Sequence, residues 1–263
     1  MDRIRRATLL CGLALTAAAT LTGCQVSSTS TGASPSATGA ATAGATPALS
    51  VPGTHRSTAV YPISSPVSLL VVISQVGDVT VTGTSASTAS VTETSSYSSR
   101  PPVTTRRVSG GTLAVSYSCP VELVCAVVYD IRVPRTAAVQ VTADAGRIAL
   151  SGLAGPVTAK ADAGLITATG LTGGSVSLTT DVGAITADFA AAPATLQAVT
   201  RVGAITLQVP ADALYTITAN ATVGQATVRI PQSPSAPHTI TATTDVGAIL
   251  VTSAGSSAGQ SSS

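Results

Sequence analysis

The chain has 263 residues, enough for one large or two small domains, and 44% of them are hydrophobic while only 2% are aromatic and 9% charged. Trp is absent and Phe189 is the single Phe, so a core has to be built from Val, Ile, Leu and Ala, which suit stacked strands better than a bulky globular interior. Of the 13 cations and 11 anions, Arg3, Arg5, Arg6 and Asp2 lie at the extreme N-terminus, leaving the remainder balanced; with no basic stripe carrying aromatics, nucleic acid is not an expected partner.

The first element is a leader. Met1 to Arg6 is charged and Ala7 to Leu21 is apolar, the n-region and h-region of an export signal. The run is shorter than the roughly 20 apolar residues a helix needs to cross a bilayer. It ends in Leu21-Thr22-Gly23-Cys24, which resembles the bacterial lipobox. That resemblance implies removal of residues 1–23, lipid attachment at Cys24 and a chain held on the extracytoplasmic face of the cell membrane. Arg5-Arg6 leaves the export route, general secretory or twin-arginine, open.

Residues 24–57 are Ser, Thr, Ala, Gly and Pro with few large apolar side chains, so they bury too little surface to offset chain entropy. They read as a tether reaching roughly 30 Å, or as a glycosylated stalk, with His55 near its end. The β-domain is expected over residues 58–252. Its first part, to about residue 135, is less regular: Leu70, Val72, Val79 and Val81 alternate around Gly77, and Ser90–Thr94, Thr112–Tyr117 and Val127–Val133 read as further strands of an N-terminal sheet continuous with the repeats and covering their open end. Cys119 and Cys125 lie in this part. Outside the cytoplasm a disulfide between them is expected, with a metal pair as the competing reading, although no His or other Cys is close in sequence.

From residue 138 onward a short motif recurs, centred on Gly146, Gly164, Gly183, Gly203, Gly224 and Gly247, with an earlier copy at Gly77. The spacings of the six are 18, 19, 20, 21 and 23 residues, so the unit is about 20 residues long. Aligned on the glycine, four columns are wholly apolar: seven before it (Val139 to Ile240), five before (Val141 to Ala242), two after (Ile148 to Ile249) and four after (Leu150 to Val251). Interleaved columns are polar, including Gln140, Thr158, Ser177, Gln197, Thr218 and Thr241, and Thr167, Thr186, Thr206 and Thr227. Period-2 alternation on both sides of a fixed glycine predicts two short strands per unit meeting at a tight corner. Units repeated with constant inward columns predict an all-β, right-handed β-solenoid, its coils stacked about 4.8 Å apart. Residues 253–263 read as a disordered tail.

These segments, together with Gly77-Asp78-Val79-Thr80-Val81-Thr82-Gly83, Thr112-Leu113-Ala114-Val115 and Tyr129-Asp130-Ile131-Arg132-Val133-Pro134, resemble a bacterial β-strand-repeat family provisionally named as adhesins, domain of unknown function 4097. The resemblance spans roughly residues 60–252. It implies a solenoid-like β-fold at the cell envelope with no catalytic residues to carry over.

Candidates for chemistry are few. Gly255-Ser256-Ser257-Ala258-Gly259 spells a nucleophile-elbow pattern, but in a tail rather than between a strand and a helix. His55 and His238 have no sequence context for acid–base work. The column Asp144, Asp162, Asp181, Arg201, Thr222, Asp245 invites either calcium or, as favoured here, local corner bonds with an Arg201–Asp181 pair between adjacent coils. The Thr167 to Thr227 row invites an ice-binding reading that the second row, with Asp188, Gln208 and Arg229, disfavours. No cofactor and no enzymatic activity are expected. The function expected is a membrane-anchored envelope lipoprotein presenting a non-catalytic binding, adhesin-like or structural domain to an envelope protein or an extracellular surface ligand. The alternative is an envelope-stress sensing or regulatory lipoprotein that binds a peptide, lipid or protein partner.

Overall fold

The computed structural model describes residues 54–120 and 124–254. Cys24, the tether up to residue 53 and the Gly255–Gly259 segment lie outside them. Every regular element among the described residues is a strand. The first seven are β1 (His55–Ile63), β2 (Leu69–Val76), β3 (Val79–Thr84), β4 (Ala89–Tyr97), β5 (Val103–Ser109), β6 (Thr112–Ser118) and β7 (Cys125–Pro134). The six glycine-centred repeats supply one pair each: β8 (Ala138–Ala145) with β9 (Ile148–Ser151), β10 (Val157–Ala163) with β11 (Ile166–Leu171), and β12 (Ser175–Val182) with β13 (Ile185–Phe189). They continue with β14 (Thr195–Val202) and β15 (Ile205–Val209), β16 (Tyr215–Val223) and β17 (Ala226–Val228), and β18 (His238–Val246) and β19 (Ile249–Ser253).

Each repeat places its first strand in one sheet and its second in another, and repeats that are neighbours in the stack pair in parallel. The inward columns therefore become continuous stacks: Ile148, Ile166, Ile185, Ile205 and Ile249 are register partners in turn and at most 1% exposed. Each fully buried side chain of this size stabilises the fold by roughly 1.5–3 kcal/mol relative to exposure. One inward column escapes the sequence pattern because it mixes small and polar residues. Three positions before the glycine stand Ala143, Ala161, Thr180, Thr200 and Thr244, all buried. Here the Thr hydroxyls donate to the carbonyls of Gly164, Gly183 and Gly203 on the neighbouring repeat.

The region before residue 135 continues both sheets of the repeats. β2 and β3 form a repeat around Gly77 that stacks on β8 and β9, and β6 and β7 stack beyond it. β1 begins at His55, inside the stretch read as tether, and pairs antiparallel with β4, which pairs antiparallel with β7. β5 pairs antiparallel with β6 in the other sheet. These antiparallel strands close that end of the stack.

The opposite end departs from sequence order. β18 and β19, the last repeat in the chain, lie between β14–β15 and β16–β17, so the fifth repeat is outermost. The Thr row is broken in consequence: Thr167, Thr186 and Thr206 are neighbours, but Leu250 separates Thr206 from Thr227.

Candidate functional site

The seven corner glycines adopt φ between +130 and +156, a region L side chains avoid. A Cβ at any of the six repeat glycines would strike the carbonyl of the glycine on the adjacent repeat. Conformation and close approach thus demand the same residue, and the glycines form one continuous backbone column. Gly77 faces the backbone of Val127, just past the corner between β6 and β7. No glycine turns that corner; the Cys119–Cys125 bond spans it, with Cα atoms 6.0 Å apart.

Beside the glycine column run the acidic positions. Arg201 Nη2 donates to Asp181 Oδ2 at 2.5 Å across adjacent repeats, and Lys160 Nζ lies 3.8 Å from Asp162 Oδ1 on its own strand. Both pairs are exposed, where such interactions contribute at most about 1 kcal/mol. Among the described residues no group of three or more His, Cys, Asp or Glu side chains is placed to hold a metal ion. His55 stacks on Tyr97, and His238, at the start of β18, bonds the Pro193 carbonyl through Nδ1 at 2.8 Å.

At the closed end, Arg106 on β5 reaches across to β4 in the opposite sheet. Its Nη1 donates to both carboxylate oxygens of Glu93, at 2.8 and 2.7 Å, and to Thr104 Oγ1 at 2.8 Å. The guanidinium carbon lies 3.6 Å from the centre of the Tyr61 ring. The Glu93 side chain is only 4% exposed, so this cluster ties the two sheets together under cover. Below it the Tyr129 hydroxyl is buried without a partner, and burial, reinforced by the Glu93 charge, pushes its pKa well above the ordinary value. None of these residues was singled out in the sequence for chemistry, since Arg106 and Glu93 are 13 residues apart on different strands.

A concavity lies on the outside of the sheet built by the first strands, a groove of about 350 Å³ crossing β10, β12, β14 and β18. The backbone of Val157, Val176 and Leu196, whose side chains point into the core, lines it, while Thr158, Ser177, Gln197 and Thr241, from the polar column, stand on the four strands in register. Ser175, Thr195 and Thr239 rim one end. Thr195 donates to Ser175 Oγ at 3.1 Å and Ser177 to Gln197 Oε1 at 3.5 Å, which pre-orders the row. No titratable side chain lines the groove. It offers a ladder of neutral donors and acceptors about 4.8 Å apart, fit for hydrogen bonding. The sequence marked its rungs as solvent-facing; that four of them flank one concavity emerges only from the stacking.

No protein-family model and no curated protein matches the sequence. Solved structures that are similar in part include a provisionally named cell adhesion protein from Clostridium sporogenes ATCC 15579, with 12% identity over 76% of this chain and 100% of that one, at a TM-score of 0.40. Provisionally named adhesins from Bacteroides fragilis NCTC 9343 and Parabacteroides merdae ATCC 43184 show 15% and 10% identity. They cover 76% and 75% of this chain and 97% and 96% of their own, at TM-scores of 0.35 and 0.28. Likeness at this level assigns neither a family nor an activity to the chain.

Proposed function

We propose that this chain is a lipid-anchored protein of the bacterial cell envelope whose β-repeat domain is a non-catalytic, adhesin-like binding module. The observation that carries the reading is the groove across β10, β12, β14 and β18: a regular, uncharged ladder of hydroxyl and amide groups on a rigid stack. Such a surface suits a neutral, extended ligand rich in hydroxyl or amide groups, lying across the strands. The lipobox-like Leu21-Thr22-Gly23-Cys24 supports attachment through Cys24, with the residues between Cys24 and β1 as the spacer that lifts the domain from the membrane. The winding is right-handed, as crossovers between parallel strands of one sheet almost always are.

The test compares the chain carrying Cys24→Ser, wild type in the domain, with a version also carrying Thr158→Ala, Ser177→Ala, Gln197→Ala and Thr241→Ala. Both are titrated against cell-wall and outer-surface fractions. Binding by the first that drops at least tenfold in the second supports the groove; equal binding by the two removes it as the site.

A second reading has an observation of its own. β16 and β17 have no strand on their outer side over most of their length, and such an edge can accept a partner strand, as a regulatory lipoprotein would require.

A further inference from the structure

We propose that the repeat formed by β16 and β17 is an exchangeable cap, and that the edge it covers, on β18 and β19, is a docking site for the same repeat of a second copy of this chain. The inference deepens the edge reading above and does not depend on the groove.

The order of the stack carries the first half. After Val209 the chain runs through residues 210–214, lays β16 and β17 on the outside, returns through residues 229–237 and inserts β18 and β19 directly against β14 and β15. The fifth repeat therefore contacts a neighbouring repeat only through β18 and β19. Lifting it leaves the rest of the stack unbroken, which would be impossible had the repeats piled up in sequence order.

The fifth repeat is also the most weakly held. Ile217, Ala219 and Val228, at inward positions, are only partly buried, whereas Ile240, Ala242 and Val251 beneath them are fully buried. Ala226 occupies the column filled by Ile in the other five repeats and is exposed. Ala221 stands where Thr180, Thr200 and Thr244 bond a neighbouring carbonyl, and β17 is three residues long against five in β19. Segments with few buried apolar contacts open at the low end of the stability range.

The occupant follows from what the seat already holds. β16 and β17 dock in unbroken register from Tyr215↔His238 to Val223↔Val246 and from Ala226↔Ile249 to Val228↔Val251. Gly224 lies against the Gly247 carbonyl, where a Cβ would collide. A replacement must carry small or aliphatic residues at the inward positions and glycine at the corner. Another copy carries that sequence without alteration, and exchange of an identical element is a low-cost route to a dimer. Connections of five and nine residues, with Pro210, Pro231, Pro234 and Pro237, span up to about 17 and 30 Å when extended.

The test uses the full chain with Cys11→Ser and Cys24→Ser, to which Asn220→Cys and Thr243→Cys are added; these two are register partners across β16 and β18. Oxidation of dilute protein is expected to give cross-linked monomer. Incubation at high concentration before dilution and oxidation is expected to give covalent dimer, in a fraction rising with concentration and time and absent when oxidation comes first. Ala226→Ile in the same background, which restores the aliphatic column, should slow dimer formation at least threefold. Cross-linked monomer alone at every concentration and incubation time overturns the proposal, as does a dimer rate untouched by Ala226→Ile. If the cysteine variant does not fold, sedimentation of the Cys11→Ser, Cys24→Ser chain after timed incubation decides: a concentration-dependent dimer that forms more slowly with Ala226→Ile supports exchange, and a monomer throughout refutes it.

Discussion

Gly164 lies so close to the carbonyl of Gly146 on the neighbouring repeat that no β-carbon fits between them. The same contact recurs from Gly146 to Gly247, so the corner column is packed backbone on backbone. Gly164→Ala combines a dihedral at φ +156 with that collision. The dihedral costs upward of about 1 kcal/mol and forced overpacking about 1–3 kcal/mol more. A fall in Tm of roughly 5–15 °C is expected in thermal denaturation. Gly110→Ala, at φ +55 with open space around it, should lose only the dihedral part.

Arg106 and Glu93 join the two sheets at the closed end. Arg106→Ala leaves the Glu93 carboxylate covered and uncompensated, a change that costs about 3–5 kcal/mol for a buried pair. Because the Arg106 side chain is 23% exposed, the lower end of that range is expected in urea titration. The double variant Glu93→Leu, Arg106→Met should recover most of the loss, since desolvated apolar groups need no partner. A double variant as unstable as the single would show that the damage lies in lost packing around Tyr61.

Tyr129 is neutral and unpartnered in the fold, and its raised pKa sets the sign of an alkaline effect. The unfolded chain releases this proton near the ordinary value of 10.0, whereas the folded chain holds it to higher pH. The stability linked to this group is therefore complete below pH 10 and declines as pH rises through and beyond it. Tyr129→Phe should flatten that decline in unfolding curves recorded from pH 8 upward. At neutral pH it should be neutral or stabilising by up to about 1 kcal/mol, because an unsatisfied buried hydroxyl is removed.

Thr200 spends its hydroxyl on the Gly183 carbonyl, at 3.1 Å, inside the stack. Thr200→Val keeps the shape and drops the bond, and should cost about 1 kcal/mol. Thr206→Val, on the outer face of β15, should stay within about 0.5 kcal/mol of wild type. Equal losses at the two positions would mean that β-propensity and not the inward hydrogen bond governs this column.

Lipid attachment is tested separately from binding. Cys24→Ala is expected to move the chain from the membrane fraction to the soluble fraction of lysed cells, and a variant that sediments with membranes as before would require another anchor.

The alternation around each glycine was legible because period 2 and a Cβ-free corner are local demands, met by every repeat in its own sequence. The strands at Ser90–Thr94, Thr112–Tyr117 and Val127–Val133 were legible for the same reason, and the structure extends them to Ala89–Tyr97, Thr112–Ser118 and Cys125–Pro134. β1 and β5 were not, because β5 is largely polar on both faces and β1 mixes polar and apolar residues on both: these strands lie at sheet edges and bury little. The inward Thr column was hidden because a hydroxyl reads as solvent-facing until its acceptor is known. That acceptor belongs to another repeat.

Sequence alone determined the repeat, its two strands, its glycine corner and its dry and wet columns, since each follows from steric and solvation rules acting within about 20 residues. It could not determine which repeat lies on which. With the same columns in every unit, Leu196 can stack as well on Ile217 as on Ile240. Only tertiary structure decided that β18 and β19 enter the stack while β16 and β17 stay outside, and burial supplies the reason. A repeat with a full aliphatic set and an inward Thr gains more from cover on both sides than one carrying Ala221 and Ala226, so the poorer repeat is left at the surface.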